Sequence, residues 1–89
     1  MAQIHRLQVQ INEPFEAPLN LTFDYQAARG AFSVWYIADQ PMEGRYKVVG
    51  TGPGFETPDI LEIVDTVCTD GFHVWHLVRL PTVQITKTE

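Results

Sequence analysis

An Asp-Gly pair at positions 70–71, set between two runs of strand-forming residues, constrains this chain more than any other feature. Asp-Gly accepts the positive φ angles of a tight type I′ turn, and apolar or β-branched runs on both sides make a hairpin. The predicted arms are Leu61–Cys68 and Phe72–Leu80. With Asp70-Gly71 as a two-residue loop, Cys68 faces His73, Val67 faces Val74, Thr66 faces Trp75 and Asp65 faces His76. Pro81 ends the second arm because it cannot donate to a ladder.

Period-two alternation extends this reading toward the N-terminus. Leu7, Val9 and Ile11 alternate with polar residues, as do Leu19, Leu21 and Phe23. Residues 12–18 carry two prolines and read as a loop. Arg29-Gly30 suits a hairpin connection into Ala31–Ala38, an apolar, aromatic run that fits a central strand. Arg45–Gly50 reads as another strand and residues 51–58 as an irregular connection. Thr57-Pro58-Asp59 predicts a brief helical turn over 58–61, with Thr57 as N-cap. The expected fold is mainly β: one domain over 1–89, an antiparallel sheet of about five to seven strands, and at most one short helix. Residues 82–89 are expected to form a frayed tail, with Thr82–Thr86 able to add a short edge strand.

Composition narrows the function classes. No apolar run approaches the ~20 residues of a membrane span, and the N-terminus lacks an apolar signal core. The single cysteine, Cys68, cannot support an internal disulfide framework. A cytoplasmic location is therefore expected. Eleven acids against six bases give a formal charge of −5. That disfavours direct nucleic-acid binding, which needs a basic stripe, and makes a basic protein surface the natural partner.

Three segments resemble a family of small, uncharacterised phage and prophage proteins. They are Val34-Trp35-Tyr36-Ile37-Ala38-Asp39, Tyr46-Lys-Val-Val-Gly-Thr-Gly52, and Gly71-Phe-His-Val-Trp-His-Leu77. The last is similar to the family's terminal Val-Trp-His strand, although this chain continues through Pro81–Glu89. The resemblance covers roughly residues 30–80 and carries no catalytic residues. It implies a virus of bacteria as the source, and interference with host defence as the role.

Each chemistry-bearing residue also has a purely structural reading. His73 and His76 diverge if both lie on one strand, so with Cys68 they make no four-ligand zinc site; no metal or cofactor is expected. Asp65 opposite His76 would orient an imidazole, but no nucleophile accompanies the pair, so an enzyme is not expected. Thr51, Gly52 and Gly54 could cradle an anion on backbone N–H groups, with Arg45 and Lys47 just upstream. Pro53 removes one donor, and the bland reading is a flexible connection. Phe32, Trp35, Tyr36, Phe72 and Trp75 read mostly as core, with a surplus of aromatic surface that a thin domain leaves exposed. Glu56, Asp59, Glu62, Asp65 and Asp70 form an acidic run without Lys or Arg.

The leading expectation is a non-enzymatic, phage-encoded inhibitor that contacts a host defence protein through Trp35, Tyr36, Trp75 and that acidic run, in the manner of an anti-CRISPR protein. Self-association is expected as well. The alternative is a homo-oligomeric sponge for a nucleotide signal, bound by Arg45, Lys47, Thr51, Gly52 and Gly54. A small hydrolase or a virion component is the further alternative.

Overall fold

The computed structural model describes residues 2–82. Seven strands follow one another: β1 (Ile4–Val9), β2 (Phe15–Ala17), β3 (Thr22–Gln26), β4 (Ala31–Ile37), β5 (Gly44–Gly50), β6 (Glu62–Cys68) and β7 (Val74–Leu80). They make two sheets, one of order β1-β4-β3 and one of order β2-β5-β7-β6, with every strand pair antiparallel. The fold is all-β, as expected. No helix occurs among the described residues: the predicted helical turn at 58–61 is only an isolated turn at 58–59. β2 lies within the stretch read as a loop, and β3 begins three residues later than the alternation from Leu19 suggested. Beyond Thr82, the expected tail and edge strand fall outside the described residues.

The two sheets pack face to face through their alternate residues. Val9, Phe23, Phe32 and Val34 of the first sheet meet Ala17, Tyr46, Val48 and Leu77 of the second. Phe23 stacks on Phe32 at 5.5 Å, and Phe32 meets Trp75 edge-on at 5.8 Å, joining the layers by the offset geometries that aromatic quadrupoles favour. Tyr46 is buried against Phe15 and donates its hydroxyl to the Pro18 carbonyl at 2.8 Å, which satisfies its polar end. A Cβ on Gly44 would overlap the Tyr46 ring, so glycine is required there.

On the outer face of the first sheet, Ser33 is 1% exposed and its hydroxyl has no partner. The register accounts for the burial. Arg6 lies level with Trp35 on one edge strand and Gln26 level with Ala31 on the other. Their side chains join, Arg6 donating to Gln26 Oε1 at 3.1 Å. The bridge therefore runs diagonally over Ser33. The same guanidinium stands 6.0 Å from the centre of the Trp35 ring.

The connection from β5 to β6 decides what covers the second sheet. β5 and β6 run parallel with β7 between them, so residues 51–61 must cross β7. They do so irregularly over the outer face, where Phe55 packs on Val49, Val78 and Leu80, and Lys47 Nζ donates to Thr57 Oγ1 at 3.3 Å. Gly50 makes room: a Cβ there would come within 2.8 Å of the Phe55 ring. A loop thus supplies part of the cover that the aromatic sheet needs.

Candidate functional site

The hairpin forms, but its turn differs from the expected one. Cys68 pairs with Val74, and the loop comprises residues 69–73, closed by Thr69 N–H donating to the His73 carbonyl at 3.1 Å. Gly71 has φ +84°, as Asp-Gly suggests, but Asp70 does not take the positive φ that a type I′ turn needs at its first position. Its carboxylate organises the loop instead. Oδ1 accepts the N–H groups of Phe72 (3.0 Å) and His73 (2.8 Å), and Oδ2 lies 2.7 Å from His73 Nδ1. These hydrogen bonds, first among them the His73 backbone N–H, hold the Asp70 carboxyl down at about 2.

A loop of five residues in place of two shifts the register by one. Thr66, not Asp65, faces His76. Thr66 Oγ1 lies 3.0 Å from Nδ1 and Thr51 Oγ1 lies 2.8 Å from Nε2, so the imidazole is held between two hydroxyls. Asp65 stands opposite Leu77 beside a bulge at Val64, and its Oδ1 accepts the Thr66 N–H at 2.8 Å. The expected Asp65–His76 pair does not exist. The expected facing of Cys68 and His73 also fails, because His73 belongs to the loop. No group of three or more His, Cys, Asp or Glu side chains is arranged to hold a metal among the described residues.

The glycine segment answers its own anion-binding capacity. Gly54 N–H donates to both carboxylate oxygens of Glu56, at 3.1 and 3.2 Å. Thr51 is engaged by His76 and Lys47 by Thr57. Arg45 borders a separate groove of about 290 Å³ with Pro58, Asp59 and Leu80, and Gly52 adopts φ +100° in the connection. These five residues therefore line a crossing loop and do not converge on one cradle.

The residues proposed for partner contact divide between the sheets. Trp35 is half-buried on the outer face of the first sheet, beneath Arg6. Tyr36 is half-buried on the opposite face, against the core. With Ile4, Leu19, Leu21 and Ile37 they border an open apolar groove of about 400 Å³. Trp75 is half-buried between Phe32 and Phe55. The acids belong to the second sheet and its loops: Glu56 and Asp59 on the crossing connection, Glu62 and Asp65 on edge strand β6, Asp70 at the hairpin tip. They are spread over three parts of the sheet and do not form one contiguous face. Glu62 is moreover paired with Arg79 across the ladder at 2.7 Å.

Exposed apolar residues accompany these acids. Phe72 is 88% exposed, Ile63 62% and Leu61 53%. The sequence pointed to Phe72 as core; the lengthened loop carries it out of the sheet, and only the loop geometry reveals this. Phe72 borders a groove of about 360 Å³ with Thr51, Phe55, His73, Val74 and Trp75. The chain matches no family model, no curated protein and no solved structure.

Proposed function

We propose that this chain is a non-enzymatic binding protein of a phage or prophage that inhibits a host defence system in the bacterial cytoplasm by protein–protein contact. The observation that carries the proposal is the alternation of exposed apolar and acidic residues along one margin of the second sheet: Leu61, Ile63 and Phe72 among Asp59, Glu62, Asp65 and Asp70. An apolar centre with a rim of single-sign charge is the usual make-up of a protein interface that steers an oppositely charged partner. The groove at Trp35 is apolar too, but no acid lines it, and the charge nearest its Trp35 wall is the Arg6 guanidinium, 6.0 Å from that ring's centre. The charge therefore favours the second sheet. The phage setting and the anti-defence role, of which an anti-CRISPR protein is the concrete form, come from the resemblance of the segments around Trp35, Tyr46 and Trp75.

A nucleotide sponge is disfavoured electrostatically, since a phosphate would meet Glu56 on the glycine loop and Asp59 beside Arg45. A hydrolase would lack a carboxylate on His76.

Affinity capture of host proteins on the folded chain tests the proposal. A specific host defence protein should be retained, its retention should fall as salt rises from 50 to 500 mM, and Ile63→Asp should abolish it. Capture of no host protein by abundant, folded bait would overturn the proposal, as would retention untouched by Ile63→Asp.

A further inference from the structure

We infer that the free edge of β1 is a homodimer seam, on which a second copy of this chain pairs its own β1 antiparallel about a two-fold axis at Leu7. The inference stands apart from the inhibitor reading and uses none of the acids or apolar residues of the second sheet. β1 is an edge strand, hydrogen-bonded to β4 alone among the described strands. Its pairing phase is fixed by Ala38 N–H, which donates to the Gln3 carbonyl at 2.8 Å. Hydrogen-bonded pairs of an antiparallel ladder recur every second residue, so His5, Leu7 and Val9 direct their main-chain groups to β4. Ile4, Arg6 and Gln8 turn theirs outward. Such an open row is a template for another strand, which folded proteins block with charges, prolines, bulges or short edges. The other three edges are blocked in these ways. β2 is three residues long between Pro14 and Pro18, β6 carries Glu62, Asp65 and the bulge at Val64, and β3 carries Asp24 and lies beside β6. β1 has six residues in unbroken register, with no proline, glycine or acid. Its one guanidinium, on Arg6, is drawn back over β4 to Gln26 Oε1 at 3.1 Å, which leaves the edge uncovered.

The residues of β1 select a second copy as the occupant. Outward main-chain groups meet only outward ones, so even-numbered residues stand opposite even-numbered residues. An axis at Leu7 sets Ile4 level with the partner's Gln10 and Arg6 level with the partner's Gln8, an uncharged amide. An axis at Arg6 sets like charges directly opposite, which opposes pairing. An axis at Gln8 sets Ile4 against the partner's Asn12, whose N–H is already given to the Val48 carbonyl at 2.8 Å. An axis nearer the N-terminus leaves Val9 outside the span of the strand. At the Leu7 axis the two leucines form a non-hydrogen-bonded pair with Cα atoms about 4.5 Å apart. Leu7 already packs half-buried against the core, so the inner apolar face continues across the axis. Charge permits the approach. The only acid on the strands of this sheet is Asp24, two strands from the seam. Its two copies stand five strand spacings apart, about 24 Å, well beyond the ~8 Å screening length of physiological salt. A strand of unrelated sequence would share the main-chain bonds but not this match of Leu7, Arg6 and Gln8.

Sedimentation velocity of the full chain, at concentrations rising to millimolar, reads the assembly, and NMR amide exchange reads the seam. The chain is expected to pass from monomer to dimer and no further, with the amides of Ile4, Arg6 and Gln8 exchanging more slowly in the dimer. Gln8→Pro removes an outward N–H and no bond to β4, the position in which edge strands accept proline. It should weaken the dimer at least tenfold. Leu7→Cys in a Cys68→Ser background should form a disulfide across the axis in oxidised glutathione, since cysteines at a non-hydrogen-bonded pair come within bonding reach. Ile63→Cys in the same background, on the blocked edge β6, should not. A monomer at every concentration overturns the inference. So does a dimer whose β1 amides exchange as in the monomer, or a folded Gln8→Pro that dimerises fully. Cross-linking through Ile63→Cys but not through Leu7→Cys overturns it as well. Should Gln8→Pro fail to fold, exchange and cross-linking decide.

Discussion

Thr66 faces His76 across the β6–β7 ladder with its Oγ1 3.0 Å from Nδ1, and the neighbouring Asp65 takes no part in that contact. Thr66→Val keeps the shape but leaves one imidazole nitrogen without its partner, and is expected to cost about 1 kcal/mol in urea denaturation. Asp65→Asn should stay within about 0.5 kcal/mol of wild type, as surface substitutions do. If Asp65→Asn proved the more damaging of the two, the register would be wrong.

The Asp70 carboxyl titrates at about 2 in the folded chain, below its ordinary 3.8, because backbone and imidazole donors of the loop favour its charged form. The sign follows by linkage. A depressed folded pKa contributes stability that is present above the unfolded value and lost as pH falls through the folded one. Urea midpoints of the wild type should therefore decline between pH 4 and pH 2 more steeply than those of Asp70→Asn. Parallel curves for the two proteins would contradict the loop geometry.

Gly44 and Tyr46 form a fitted pair, since the phenol ring occupies the space of a Gly44 Cβ. Gly44→Ala is expected to cost about 1–3 kcal/mol through overpacking. Tyr46→Phe removes the hydrogen bond to Pro18 and should cost about 1–2 kcal/mol by leaving a buried carbonyl unpaired. Chemical denaturation of each variant measures both.

Ser33 carries a buried hydroxyl with no partner beneath the Arg6–Gln26 bridge. Ser33→Ala removes an unsatisfied polar atom without adding volume, so it should be neutral or stabilise by up to about 1 kcal/mol. Arg6→Ala should uncover the position, and faster amide exchange at Ser33 and Trp35 would show it.

The sequence by itself determined five of the seven strands, because alternation and turn chemistry are local, whereas β2 was hidden in a proline-bearing stretch and β3 was displaced. Ile4–Val9, Ala31–Ile37, Gly44–Gly50 and the two hairpin arms all lie where side-chain period and β-propensity put them. It likewise marked Gly71 as a positive-φ position. The tertiary structure decided how those strands relate. Whether Asp-Gly closes a loop of two residues or five depends on where the Asp70 carboxylate finds donors, and that difference of one in register exchanged Asp65 for Thr66 beside His76. The order β5-β7-β6 was likewise invisible locally, since antiparallel pairing with β7 is made by residues far apart in the chain. That order sends residues 51–61 across the sheet, brings Phe55 to Trp75, and sets Phe55, Phe72 and Trp75 around one groove. A side chain's period is written in its neighbours; the surface it shares is set by which strands meet.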